Sequence, residues 1–185
     1  MIGRAATAPA VTIMFHTPPV WHDDAPALYM LGRVMSARTG KMYLDLVNSK
    51  MPHASSVSAM AQSQMYEGAF RVSATARETA AEATAVPLET LEQELWMYID
   101  DAKSTPADPQ LLQRIKNSVE AAYLQSLAGT GIAGTLARME VAYRWQHIED
   151  EYKQRMAVTA ADMMRVAKTY LNRDNSVTGV MHRER

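Results

Sequence analysis

Five histidines, His16, His22, His53, His147 and His182, are the side chains best suited to hold a metal or move a proton. A zinc site on a helix needs two imidazoles one turn apart with a carboxylate beside them. No two of these histidines stand three or four positions apart. The nearest pattern is His147-Ile148-Glu149-Asp150-Glu151, where His147 and Glu151 share a helix face. Without a second imidazole, a solvated surface with one i, i+4 contact accounts for it. His22-Asp23-Asp24, together with His16, is a second candidate for a divalent cation. Capping by Asp24 and a favourable charge from Asp23 at a helix start explain both carboxylates without a metal.

Other chemistries are thinner still. There are no cysteines, which removes disulfides, thiolate metal sites and thiol nucleophiles together. Gly129-Thr130-Gly131-Ile132-Ala133-Gly134 is dense in glycine, but it follows a helical segment and lacks Gly-Lys-Ser/Thr. It reads as a helix–helix connection. Ser55, Ser56, Ser58 and Ser63 lie on a strand-like stretch without the strand-to-helix elbow of a hydrolase nucleophile. The 14 methionines recur at helical spacing, as core filler does. Taken alone, these residues assemble no catalytic site and no metal site.

Composition sets the frame that must position any site. The 185 residues suit one domain, and 48% of them are apolar, enough for a substantial core. Lys plus Arg number 19 against 20 Asp plus Glu, so the net charge is −1. That balance gives no reason to expect nucleic acid or an anionic membrane as a partner. No apolar run reaches the ~20 residues of a membrane span. The first ten residues lack a signal-peptide pattern and run straight into a strand, as a domain belonging to a longer chain would. The compartment stays open, the cell envelope included if a parent chain carries a signal.

Val11–His16 alternates, with Val11, Ile13 and Phe15 on one side, and predicts a half-buried strand. Ala27, Leu28, Leu31, Val34 and Met35 predict a helix begun at Asp24 and Pro26, and Lys41–Asn48 a second, short one. Ala54–Gln64 and Ala69–Ala76 predict an antiparallel hairpin, with Gly68 in its turn. Pro87 opens a helix buried through Leu88, Leu91, Leu95 and Ile99. The next helix, signalled by Thr105, Pro106 and Asp108, turns Leu111, Leu112, Ile115, Val119 and Ala122 inward. Leu136–Tyr152 reads as one helix. Thr159 and Asp162 form a capping box for Ala160–Leu171, with Met163, Val166, Ala167 and Tyr170 buried. Ser176–Met181 closes the chain as a strand. The expected class is α+β, an antiparallel-rich sheet with helices packed on one face.

The order of these segments resembles a C-terminal-type half-domain of the insulinase/pitrilysin metallopeptidases. The carriers are a strand ending in Thr17-Pro18, then Asp24-x-x-Ala27-Leu28, then Gly40-Lys41-x-Tyr43-x-x-Leu46-Val47, leading into Ala54-Ser55-x-Val57-Ser58. Gly68-Ala69-Phe70 is similar to that family's Gly-x-Phe strand, and Pro109–Asn117 to its Pro-x-Glu-Leu-x-x-x-Lys helix, without the Glu. Val158-Thr159-x-x-Asp162 followed by Val166-Ala167-x-x-Tyr170-Leu171 is similar to its closing helix. The resemblance spans nearly the whole chain, 1–185, as one half-domain of a longer chain or paired assembly.

It implies enzymes built from two similar halves closing around a peptide chamber, with His-x-x-Glu-His on the first helix of one half only. The matching stretch here, Asp24–Ser36, has neither His nor Glu, so zinc ligands and base are missing together. The Arg and Tyr that many partner halves lend to the active site fall at Val47 and Ala54, and neither side chain can donate to an oxyanion. The resemblance therefore implies a half that is inactive alone, with no catalytic residue and no metal of its own. Zinc belongs to a zinc-bearing half in the same or another chain, and the substrate is a peptide. Lys50, His53 and Ser55 are the expected chamber contacts. A structural assembly subunit of the same fold, with no peptidase role, is the alternative.

Overall fold

The alternation that begins at Val11 has a simple structural outcome. In the computed structural model, which describes residues 8–77, 86–128, 131–142, 144–145 and 147–182, strand β1 (Ala10–Thr17) buries Val11, Ile13, Phe15 and Thr17. Met14 and His16 stay exposed on its other side. β1 pairs antiparallel with β3 (Gly68–Ala76) and with β4 (Ser176–Met181), and β3 pairs antiparallel with β2 (Ala54–Gln62). The sheet order is β2-β3-β1-β4. Gly68 opens β3 opposite Thr17 rather than sitting in the turn. A register irregularity between Ala54 and Ser56 bends β2 at its start.

The helices cover the face that carries Ile13, Phe15, Phe70 and Val72. Helix α1 (Ala25–Met35) lies against β2, and α2 (Lys41–Leu46) packs beside it. The fit of α1 is close: a Cβ on Gly32 would stand 3.0 Å from the Met60 Cα and 3.3 Å from the Ala59 carbonyl oxygen. Helix α3 (Leu88–Ser104) buries Leu88, Leu91, Leu95 and Ile99, the stripe its spacing predicts. Its Trp96 meets Phe15 edge-on with ring centroids 5.6 Å apart, which ties α3 to β1. Each such fully buried large side chain contributes about 1.5–3 kcal/mol. Helix α7 (Ala160–Tyr170) completes the layer through Met163, Val166 and Ala167. The Thr159 hydroxyl accepts from the Asp162 N–H while the Asp162 carboxylate accepts from the Thr159 N–H, the reciprocal box the sequence predicts.

The remaining helices, α4 (Pro109–Leu127), α5 (Gly131–Ala142) and α6 (His147–Ala157), depart from expectation in two places. The single helix predicted over Leu136–Tyr152 is two, with Arg144 and Trp145 between them. The Glu140 carboxylate accepts from the Trp145 N–H, and Arg144 pairs with Asp150. Ala122 is exposed, because α4 buries Leu111 and Val119 and its later turns project past the core. Asp108 caps α4 by accepting from the Gln110 and Leu111 N–H groups. No helix is long and apolar enough to cross a membrane among the described residues.

Candidate functional site

The place to look for chemistry is the start of α1, where the resemblance puts zinc ligands. Eight of its 11 residues, Ala25–Leu28, Met30–Gly32 and Met35, are buried. Alanine, proline, leucine and methionine offer a zinc ion no imidazole and no carboxylate, so these residues do not fit that metal. Asp24, just before α1, is buried, yet its side chain caps nothing. It accepts a 2.6 Å hydrogen bond from Arg165 and a 2.7 Å one from the Tyr170 hydroxyl, both on α7. Burial raises the Asp24 carboxyl, but those two hydrogen bonds and the charges of Arg165 and His22 outweigh it and hold it below the usual range. Burial, then the Asp24 hydrogen bond and charge, push Tyr170 up to about 12, so it remains a neutral donor. Asp24 is a tie between α1 and α7, which corrects its reading as a simple cap.

The histidines disperse. His16 Nε2 stands 3.3 Å from the Glu67 carboxylate at one end of the sheet. His22 Nδ1 accepts from the Asp24 N–H at 3.1 Å. The two thus answer to different partners, and Asp23 is exposed. His147 opens α6; its side chain and all of 129–130 and 183–185 lie outside the described residues. Among the described residues, no three His, Asp or Glu side chains gather as a metal site.

Lys50, His53 and Ser55 stand together in sequence where the chain leaves α2 for β2. Lys50 is exposed in the loop. His53 Nδ1 makes a 2.7 Å contact with the Glu94 carboxylate on α3, and the side chain is partly exposed. The second Glu94 oxygen, Oε2, is buried without a hydrogen-bond partner. Ser55 Oγ donates to the Thr75 and Ala76 carbonyls across the β2 irregularity. Val47 is the half-buried C-cap of α2, and Ala54 is fully buried. Neither reaches a ligand with a polar atom.

Two further regions stand out. Between α1, α2, α3, α4 and α7 lies a cavity of about 320 Å³ walled by Met35, Met42, Leu111 and Met163, with the Lys41–Asp101 ion pair beside it. It is on the helix side of the sheet, and Tyr98 in its wall donates its hydroxyl to Asp45. The other is the sheet face that the described helices leave open. There Met60 on β2, Arg71 on β3, Met14 on β1 and Val177 on β4 stand in one row by strand register. Met14 and Met60 are 40% and 39% exposed and Val177 73%, so part of the methionine content is surface rather than core filler. Beside that row, the Ser58 and Ser73 hydroxyls share a 2.9 Å hydrogen bond. Sequence reasoning passed over Arg71. Its only signal was a cation on the outward phase of an alternating strand.

No family model matches the sequence, and no curated protein matches it. Solved structures do match. A protease from Helicobacter pylori superposes with a TM-score of 0.83 at 21% identity, over 96% of this chain and 42% of that one. A Bordetella parapertussis structure described as the "Inactive Peptidase Domain of a Putative Zinc Protease" gives 0.81 at 21% identity, over 100% and 96%. A peptidase M16 inactive domain from Pseudomonas fluorescens gives 0.68 at 16%, over 96% and 43%. The chain therefore has the fold of a metallopeptidase half-domain of the insulinase type, the α+β architecture its segment order predicts. It spans less than half of the Helicobacter and Pseudomonas chains.

Proposed function

We propose that this chain is the non-catalytic half of a zinc metallopeptidase, closing a peptide chamber against a zinc-bearing half in the same or another chain. The observation that carries the reading is α1. The resemblance gives it the place of the zinc helix, yet eight of its 11 residues are buried without a polar side chain, and none of the 11 is histidine or glutamate. The likeness to a solved inactive peptidase domain over both full lengths supports it. The open sheet face is the surface turned toward the peptide, since it is the broad face the chain's own helices leave uncovered. Lys50, His53 and Ser55 contact substrate at one end of it. With Val47 and Ala54 in place of donors, this half orients and encloses peptide, while water activation belongs to the zinc-bearing half.

The purified chain is expected to hold no stoichiometric zinc by elemental analysis after incubation with the metal and desalting. It is also expected to leave a fluorogenic peptide library uncut. One zinc per chain accompanied by cleavage would overturn the reading.

A further inference from the structure

Arg71 is the open sheet face's unanswered charge. Its Nε is buried without a hydrogen-bond partner, and among the described residues no carboxylate or carbonyl meets the guanidinium. The residue as a whole is half-exposed, so the charge keeps part of its hydration, and guanidinium geometry suits a carboxylate. The flanking rows offer no acid: Ser58, Ser73, Thr12 and Gly179 on one side, Gln62, Ala69 and His16 on the other. Glu67, near the far end, already faces His16 at 3.3 Å. On either side of Arg71, across the strands, lie Met60 and Met14, adaptable thioethers about 5 Å away by strand spacing.

We infer that Arg71 receives the side-chain carboxylate of an extended peptide, with Met14 and Met60 taking the apolar side chains two residues to either side of it. Side chains on one face of an extended peptide recur every ~7 Å, which flexible methionines at ~5 Å can meet. The occupant is thus an acidic residue flanked at i±2 by apolar ones. This rests on the sheet face being the peptide-facing surface, and it adds the substrate chemistry.

The test uses the full-length chain and three blocked probe peptides, acetyl-Ala-Leu-Ala-Glu-Ala-Leu-Ala-amide and the same peptide with Gln or Lys for Glu. Affinity is followed by amide chemical shifts. The Glu probe is expected to bind about tenfold more tightly than the Gln probe, as a charge-assisted hydrogen bond gives, with shifts centred on Met14, Met60 and Arg71. Arg71→Met should bring the Glu and Gln probes level, Arg71→Lys should keep part of the preference, and Arg71→Glu should transfer it to the Lys probe. Equal binding to the unmodified chain, or a preference that survives Arg71→Met, overturns the inference. So does an Arg71→Met chain that keeps its probe preference but no longer docks on a zinc-bearing half, because Arg71 would then answer a carboxylate of that half. An Arg71-dependent Glu preference in a chain that completes no peptidase would instead overturn the half-domain reading and leave this inference standing.

Discussion

Asp24→Ala is expected to lower the stability of the fold by about 2–3 kcal/mol at neutral pH. The carboxylate accepts from Arg165 and Tyr170 across 141 and 146 positions of sequence, so it closes the chain's first helix on its last. Arg165 is 54% exposed and can return to water, so its share is discounted to under about 1 kcal/mol. Most of the loss comes from the half-buried Tyr170 hydroxyl, left without an acceptor, and from the vacated space. The charge also makes a pH prediction. Because the folded Asp24 carboxyl titrates below its ordinary value, its contribution is fully present above the unfolded pKa of about 3.9. It is lost as pH falls through the depressed folded value. Asp24→Asn should therefore be less stable than the parent at neutral pH, with the gap narrowing on acidification. Urea unfolding midpoints across that range measure it, and a gap independent of pH would remove the ionic account of the tie.

Gly68→Ala is expected to cost a similar amount, about 2–3 kcal/mol, for a steric reason. A Cβ there would stand 2.7 Å from the Pro18 carbonyl oxygen and 2.8 Å from Thr17 Oγ1. The first obstacle is backbone, so β1 and β3 must separate where they pair. In a chain of this size the melting temperature should fall by about 5–10 °C. Gly134→Ala is the control. Nothing lies within 4 Å of its added Cβ, and it sits inside α5, so the alanine should be neutral or stabilising by up to about 1 kcal/mol. Equal melting temperatures for the two variants would refute the packing argument at Gly68.

What the sequence made legible is what local rules govern. The alternation of Val11, Ile13 and Phe15, the stripe through Leu91, Leu95 and Ile99, the Thr159–Asp162 box and the bounds of β4 each depend on neighbours within one or two turns. The break between α5 and α6 escaped because Arg144 and Trp145 are ordinary helix residues, and a side-chain contact from Glu140 marks the boundary. Asp24 looked like a cap because the cap position is local, while its partners on α7 are not. Arg71 shows the same limit for the site. Its position is local, but its lack of a partner among the described residues is a property of four strands brought together.

The measurement that bears most directly on the central claim is peptide cleavage after mixing this chain with a separately purified zinc-bearing half encoded beside it. Neither half alone should cut, and an equimolar mixture should cut a fluorogenic peptide at a rate abolished by removing zinc from the partner. A zinc-bearing half that is fully active alone, and gains nothing when this chain is added, would contradict the account.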